Sequence, residues 1–257
     1  MPALSACIEM LFRDRPFIER VPAVAELGIP AVEFWRYGDK DVEGISSAAK
    51  DAGLKVAGIV CDTGGPLVDP TNRKGLRDAV ADSIAAANTL GCTTMIVTTG
   101  QERIGVPRSE QHRSIVDGLK SVAGMVEDAG VTLVLEPLNV LVNHKGYYLA
   151  TTAEGVEILE EVGSPNVKLL YDIYHQQITE GNLIDTIREN IDWIGHFHLA
   201  DVPGRNQPGT GEINYDNVLR AIGEADYDGF VGIECTCTVP EKQALADIIS
   251  YSRRHFA

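Results

Sequence analysis

Short apolar segments alternate with longer amphipathic segments from one end of the chain to the other. The apolar segments are five to eight residues long and rich in β-branched residues, and they cover 4–10, 31–35, 55–61, 93–99, 132–137, 167–173, 194–201 and 230–235. Helical spacing of apolar residues predicts helices that include 75–90, 109–129, 153–162, 183–190 and 247–256. Gly28, Gly53, Gly91 and Gly130 each precede a predicted strand and are expected to end helices. The pattern indicates a repeated strand–helix unit.

A strand–helix repeat predicts a parallel sheet, because right-handed crossovers return each strand to the same direction. Eight units within 257 residues fit one closed (β/α)₈ TIM barrel, for which about 250 residues is the usual length. An open doubly wound sheet is the competing fold. It ordinarily carries a glycine-rich phosphate turn after its first strand, whereas residues 11–15 are LFRDR. We therefore expect a single TIM barrel domain over residues 1–257.

Composition restricts the partners that we expect. The formal net charge of −15 is unfavourable for binding nucleic acid or an anionic membrane. The sequence has neither a basic leader followed by an apolar stretch nor a run of about 18 apolar residues, so we predict no signal peptide and no membrane span. Five cysteines, most of them in apolar segments, are typical of reduced thiols. These features predict a cytoplasmic protein that acts on small molecules.

Four consecutive predicted strands end in residues of the types that bind metals. These are Glu136 in VTLVLEPLN, Asp172 in LLYDIYH, His198 in IGHFHLAD and Glu234 in GFVGIEC. The C-terminal strand ends of a TIM barrel meet at the face where barrel enzymes carry their catalytic groups. Strand alternation places Glu136 inward with Val134, while Leu133 and Leu135 face the helices. We expect the four side chains to converge.

Such a cluster would hold three carboxylates in a setting of low dielectric constant. They would repel one another unless a positive charge balanced them, and a divalent cation is the simplest balance. Three oxygen donors and one imidazole favour Mn²⁺, Mg²⁺ or Co²⁺ over zinc. Each residue alone could equally be a helix cap or an ion-pair partner, but four in consecutive strands favour a metal site.

Five segments resemble the hydroxypyruvate isomerase family, within the xylose-isomerase-like TIM barrel superfamily of sugar isomerases and epimerases. They are SACIEMLF (5–12), LEPLN (135–139), YDIYH (171–175), GHFHLAD (195–201) and PGTGEINYD (208–216). The resemblance implies that the four residues above bind the metal. It also implies that Glu136 and Glu234 are the catalytic acid/base pair on opposite sides of the substrate.

The implied activity is interconversion of an α-hydroxy ketone and an aldehyde, such as hydroxypyruvate and tartronate semialdehyde or a related short keto sugar acid. One glutamate removes a carbon-bound proton to give an enediolate, and reprotonation at the neighbouring carbon gives the isomer. Reprotonation at the same carbon gives an epimer, so a ketose 3-epimerase stays an alternative. A metal-dependent lyase acting on a 3-keto sugar derivative is another.

Two alternatives from other classes are disfavoured. An endonuclease of this fold would need more than the six histidines of this chain and a basic face for DNA. A barrel that only binds sugars would have no reason to keep an intact set of three carboxylates and one histidine. The resemblance also suggests a homodimer or homotetramer.

Residues near the predicted ligands are candidates for substrate binding. The resemblance matches His175 to a residue that contacts substrate oxygens, and Arg205 could bind a substrate carboxylate through two N–H groups. His196 is expected one layer deeper than His198, with a hydrogen-bonding role. Glu33 and Glu212 are expected to be structural or to support the ligands.

The loops after strands two and three differ from those of hydroxypyruvate isomerases, which carry a longer, aromatic loop after strand three. Residues 62–66 are DTGGP here. Trp35 could cover the apolar face of a sugar and Arg36 could anchor a carboxylate, while His144 and Lys145 could belong to a lid. These loops line the predicted pocket, so the substrate stays open within the class.

Overall fold

A computed structural model describes residues 1–256. Eight parallel strands form a closed barrel in chain order, with the last strand paired to the first. The strands are β1 (Ala3–Cys7), β2 (Ala31–Phe34), β3 (Lys55–Val60), β4 (Thr94–Val97), β5 (Thr132–Leu135), β6 (Val167–Asp172), β7 (Ile194–Leu199) and β8 (Phe230–Ile233). The helices of the described residues are α1 (Arg20–Glu26), α2 (Val42–Asp51), α3 (Arg73–Leu90), α4 (Arg108–Ala129), α5 (Thr152–Val162), α6 (Ile173–Thr179), α7 (Leu183–Asn190), α8 (Tyr215–Glu224), α9 (Glu241–Ala244) and α10 (Ala246–His255). The prediction of a (β/α)₈ TIM barrel is confirmed.

The C-terminal ends of α3 and α4 lie at the glycines that the sequence predicts as helix ends. Gly91 and Gly130 follow α3 and α4 with φ of +66° each, a left-handed conformation that glycine adopts without strain. The strands are shorter than the apolar segments predict, and β5 stops at Leu135. The residues just past the strand ends leave the sheet and form the mouth of the barrel.

The crossover between β6 and β7 contains two helices, of which the apolar spacing predicts only α7. Asp172 begins α6 by accepting hydrogen bonds from the backbone N–H groups of Tyr174 at 2.8 Å and His175 at 3.3 Å. His175 therefore lies in the first turn of a helix rather than in a loop.

The barrel interior is divided into an apolar side and a polar side. Ile96, Val134 and Leu170 form a separate buried cluster with Val60 packed against it. On the other side, Ser5, Glu33 and His196 are buried, and Ser5 and His196 each form a hydrogen bond with Glu33. A polar network thus lies inside the barrel next to the predicted ligands.

Two observations concern the expectations from composition. All five cysteines are free thiols, and four of them are buried. Among residues 1–256, no helix is both long enough and apolar enough to cross a bilayer.

Candidate metal centre and active site

The structure brings together the four residues that the sequence predicts as metal ligands. All four side chains are buried at the C-terminal ends of consecutive strands: Glu136 after β5, Asp172 at the end of β6, His198 in β7 and Glu234 after β8. One donor atom from each lies within 4.8 Å of the donor atoms of the others. They form one compact group of three carboxylates and one imidazole, which we call the acidic cluster.

Asp172 is held in place by the helix that it begins. Its Oδ1 atom accepts the two backbone hydrogen bonds that start α6, which fixes the orientation of the carboxylate. Its Oδ2 atom faces the acidic cluster, 3.5 Å from His175 Nε2 and 3.5 Å from Arg205 Nη2. One oxygen is thus used for folding, and the other is available to a ligand.

His198 presents its two ring nitrogens to different carboxylates. Nδ1 lies 3.2 Å from Glu234 Oε2 and 3.8 Å from Glu136 Oε1. Nε2 lies 2.8 Å from Glu33 Oε1. Burial favours the neutral ring, but Glu234 and Glu33 raise the pKa of His198 well above its usual value. The distances show that Nδ1 faces the acidic cluster, whereas Nε2 faces Glu33.

The two glutamates of the predicted acid/base pair have opposite electrostatic surroundings. Burial raises the pKa of Glu136 to about 8, against the positive charge of His198. Burial also acts to raise the pKa of Glu234, but the charges of His198 and Arg205 lower it to about 2. Trp35 Nε1 donates a hydrogen bond to Glu234 Oε1 at 2.6 Å. Two neighbouring carboxyl groups with such different pKa values are typical of sites where one acts as the acid and the other as the base.

Arg205 lies against the acidic cluster itself. Its guanidinium forms an ion pair with Glu234 Oε2, and its Cζ atom lies 5.3 Å from the centre of the Tyr174 ring. From the sequence, a metal ion alone is expected to balance the negative charge of the three carboxylates. The structure corrects this expectation, because Arg205 supplies one positive charge directly to the carboxylates.

His175 is buried and points a hydrogen-bond donor toward the site. Its Nδ1 atom accepts from the backbone N–H of Asn139 at 3.2 Å, so the proton of the neutral ring is on Nε2. Burial lowers the pKa of His175 to about 4, which keeps the ring neutral. Nε2 has no hydrogen-bond partner within the described residues. A buried, unpaired donor beside the acidic cluster fits a contact with a substrate oxygen.

The acidic cluster opens into a cavity of about 230 Å³. The lining combines reactive groups with an apolar wall formed by Trp35, Val60, Ile96 and Leu138, and it includes His144, His175 and Arg205. A second cavity of about 440 Å³ lies at the ends of β2 and β3, and Val60 lines both. Arg36 lines the second cavity only.

Several other residues that the sequence singles out lie elsewhere. Glu212 is exposed and accepts a hydrogen bond from Gln177 at 3.1 Å, outside the cavity of the acidic cluster. Lys145 is exposed and does not line that cavity. His196 Nε2 forms a hydrogen bond with Glu33 Oε2 at 3.0 Å, so these two residues, for which the sequence suggests supporting roles, contact each other.

Asp201 organises the loop that carries Arg205, and no sequence argument identifies this role. Its buried carboxylate accepts backbone hydrogen bonds of 2.8 to 3.1 Å from Val202, Gly209, Gly211 and Ile213. These donors belong to the loop between β7 and α8, which contains the PGTGE sequence. Asp201 therefore links two of the segments that resemble the family, residues 195–201 and 208–216. In the sequence, the only indication of this link is that both segments are present.

Asp201→Ala is expected to lower the unfolding free energy by about 3 kcal/mol, because four backbone N–H donors lose a buried, charged acceptor. For a chain of this size that corresponds to a fall in Tm of about 6–12 °C, measurable by calorimetry. Asp216→Ala is the control, since Asp216 pairs with Arg254 and His255 at the surface, where ion pairs contribute little, and its loss should lower the Tm far less. Equal Tm values for the two variants would contradict the role of Asp201.

The donor set of the acidic cluster fits a divalent cation. Opposite ligands of an octahedral ion lie about 4.2 Å apart when bonds are near 2.1 Å, which is compatible with the observed 4.8 Å limit. His198 Nδ1 is buried, faces the carboxylates and has no hydrogen-bond partner within residues 1–256, so a cation that displaces its proton can bind there. Glu136, Asp172 and Glu234 supply oxygen atoms, the donors that Mg²⁺ and Mn²⁺ prefer.

Comparison with known proteins gives consistent matches over nearly the whole chain. Residues 21–255 match the xylose isomerase-like TIM barrel family. The chain is 33% identical to hydroxypyruvate isomerase of Escherichia coli, over 91% of this chain and 93% of that protein. It is 27% identical to 2-oxo-tetronate isomerase of Pectobacterium atrosepticum, over 91% and 92%. The crystal structure of a Brucella melitensis protein named as an AP endonuclease of family 2 superposes with a TM-score of 0.92 at 28% identity, covering 98% of this chain and 99% of that one.

Proposed function

The chain belongs to the xylose isomerase-like TIM barrel family, in its hydroxypyruvate isomerase branch, and we propose that it is a metal-dependent isomerase of a short keto sugar acid. The reaction would interconvert an α-hydroxy ketone and an aldehyde through an enediolate. The observation that carries the proposal is the convergence of Glu136, Asp172, His198 and Glu234 in one buried cluster beside the cavity. The names of the relatives support the substrate class.

The acidic cluster would hold Mn²⁺, Mg²⁺ or Co²⁺. When bound there, the ion supplies a Lewis acid that polarises the substrate carbonyl and makes the neighbouring C–H more acidic. Glu136 and Glu234 both line the cavity, so either carboxylate can reach a carbon-bound proton of a substrate in it. One glutamate removes that proton, and the pair delivers a proton that has exchanged with solvent to the neighbouring carbon.

His175 and Arg205 would hold the substrate. The neutral His175 ring donates from Nε2 to a substrate oxygen, because its other nitrogen is occupied by Asn139. The Arg205 guanidinium is planar and bidentate, which suits the carboxylate of a keto acid. The apolar wall of Trp35, Ile96 and Leu138 excludes water from the reacting carbons.

The shape of the pocket favours a substrate of more than three carbons. Val60 lines both the cavity at the acidic cluster and the larger cavity, whose lining also includes Arg36, Asp62 and Thr63. Their donors and acceptors suit a hydroxylated chain extending from the reacting carbons. We therefore expect a four-carbon 2-oxo-tetronate to be used at least as well as hydroxypyruvate.

Incubation of the Mn²⁺-loaded protein with substrates in D₂O tests the proposal. Hydroxypyruvate, a 2-oxo-tetronate and a ketohexose form a series of increasing length. We expect isomer formation with one deuterium at the proton-accepting carbon, and a kcat/KM for the four-carbon acid at least equal to that for hydroxypyruvate. Nuclear magnetic resonance identifies both the product and the labelled carbon.

Other products in these assays would indicate a different activity. Deuterium at C3 of the ketohexose with inversion there would identify a 3-epimerase, and fragment formation from a 3-keto sugar derivative would identify a lyase. Cleavage of DNA with an abasic site would favour the activity named for the Brucella melitensis protein. The acidic cluster contains one histidine and the chain carries −15 net charge, so we expect no cleavage.

A further inference from the structure

Glu33 is a buried carboxylate that has no part in the proposed proton transfer. It lies in β2 with only 2% of its surface exposed. Its Oε2 atom accepts hydrogen bonds from Ser5 Oγ at 2.7 Å and from His196 Nε2 at 3.0 Å. Burying a carboxylate is costly unless it is paired, so the partners of Glu33 indicate its use. Its second oxygen faces His198 alone.

The contact between Glu33 and His198 crosses the interior of the barrel. β2 and β7 are not neighbours in the sheet, because β1 and β8 lie between them. The space for the contact exists because position 232 in β8, opposite His198 in the strand ladder, is glycine. A Cβ atom at Gly232 would collide with the Glu33 carboxylate. Three strands therefore combine to place this carboxylate beside the His198 ring.

The two nitrogens of His198 face different environments. Nδ1 faces Glu136 and Glu234 in the acidic cluster, whereas Nε2 lies 2.8 Å from Glu33 Oε1. Nε2 and Glu33 Oε1 are both buried and neither has a hydrogen-bond partner within residues 1–256, although they lie within hydrogen-bonding distance of each other. A histidine that binds a metal through one nitrogen usually donates the other N–H to a carboxylate or carbonyl, which sets its tautomer and orientation.

We propose that Glu33 is a positioning residue of the metal centre. It holds the His198 ring with the proton on Nε2, so that the Nδ1 lone pair is directed at the ion. Ser5 and His196 keep the Glu33 carboxylate in register through its other oxygen. The inference rests on the proposed metal site, and it assigns a function to a residue outside the four ligands.

Mn²⁺ binding to the full chain, stripped of metal beforehand, tests this role by titration calorimetry. Glu33→Gln keeps the side-chain volume and removes the charge, and we expect the Kd for Mn²⁺ to rise about 10–100-fold. Glu212→Gln is the matched control, because it makes the same change at an exposed carboxylate that lies outside the cavity of the acidic cluster. The control should change the Kd by no more than about twofold, on the same reasoning.

The Tm of each metal-free variant separates positioning from folding. A structural role alone would lower the Tm of Glu33→Gln and leave its Kd unchanged, and that result would overturn the proposal while the metal site stands. Failure of the unmodified chain to bind Mn²⁺ would overturn the proposed metal site as well.

A measurement on the unmodified chain covers the case in which Glu33→Gln does not fold. Nitrogen NMR of the Mg²⁺-loaded protein, labelled in its histidines, reports which ring nitrogen carries the proton. We expect His198 to be protonated on Nε2, with its signals assigned by their loss in His198→Gln. A proton on Nδ1 would contradict the inference.

Discussion

Glu136→Gln and Glu234→Gln are each expected to lower kcat/KM by about 10³-fold or more, since proton transfer by a positioned group contributes about 10²–10⁴-fold. Glutamine keeps the shape of glutamate but can neither accept the substrate proton nor return it. Both side chains also belong to the acidic cluster, so each change affects ion binding. The assay is therefore run at saturating Mn²⁺, with the substrate that the D₂O series identifies.

The matched control for both variants is Glu212→Gln. Glu212 is exposed and outside the cavity of the acidic cluster, so its substitution is expected to leave kcat/KM within about twofold of the unmodified chain. Circular dichroism of all three variants checks that the barrel is folded. Full activity in either Glu136→Gln or Glu234→Gln would remove that residue from the acid/base pair.

Removal of divalent ions is expected to abolish turnover and leave a folded chain. Arg205 pairs with Glu234 and lies near Asp172, so part of the charge of the cluster is balanced without an ion. Activity should return with Mn²⁺, Mg²⁺ or Co²⁺. At a free ion concentration of about 100 times the Kd, the native state gains about 2.7 kcal/mol, a rise in Tm of about 5–10 °C.

Asp172→Asn provides the control for the metal experiment. The amide oxygen can still accept the hydrogen bonds that begin α6, while the anionic oxygen that faces the acidic cluster is lost. The variant should fold and should show little rise in Tm with added Mn²⁺. Turnover by the stripped, unmodified chain at its full rate would contradict the metal requirement.

The barrel and its four candidate ligands are predictable because both depend on short-range patterns. Strand alternation decides that Glu136 faces inward while Leu135 faces the helices, and parallel strands place all their C-terminal ends at one face. Asp172 and His198 lie at paired positions of neighbouring strands. Convergence of the four side chains therefore follows from strand order alone.

Other contacts of the site join residues far apart in the chain, and local patterns carry no information about them. Trp35 donates to Glu234 across 199 positions. Arg205 contacts the carboxylates from a loop whose backbone is hydrogen-bonded to the Asp201 side chain. The helical setting of His175 depends on the cap that Asp172 supplies, since the apolar spacing of 173–179 does not predict a helix.

The sequence by itself thus determined the closed barrel, the face that bears the site and the identity of the acidic cluster, because periodicity and strand order act locally and repeat. The tertiary structure alone decided how those charges are balanced. Arg205 lies on the carboxylates, and Glu33 meets His198 across the barrel where Gly232 leaves room. Such contacts depend on loop conformation and on distances across the interior, which side-chain alternation does not specify.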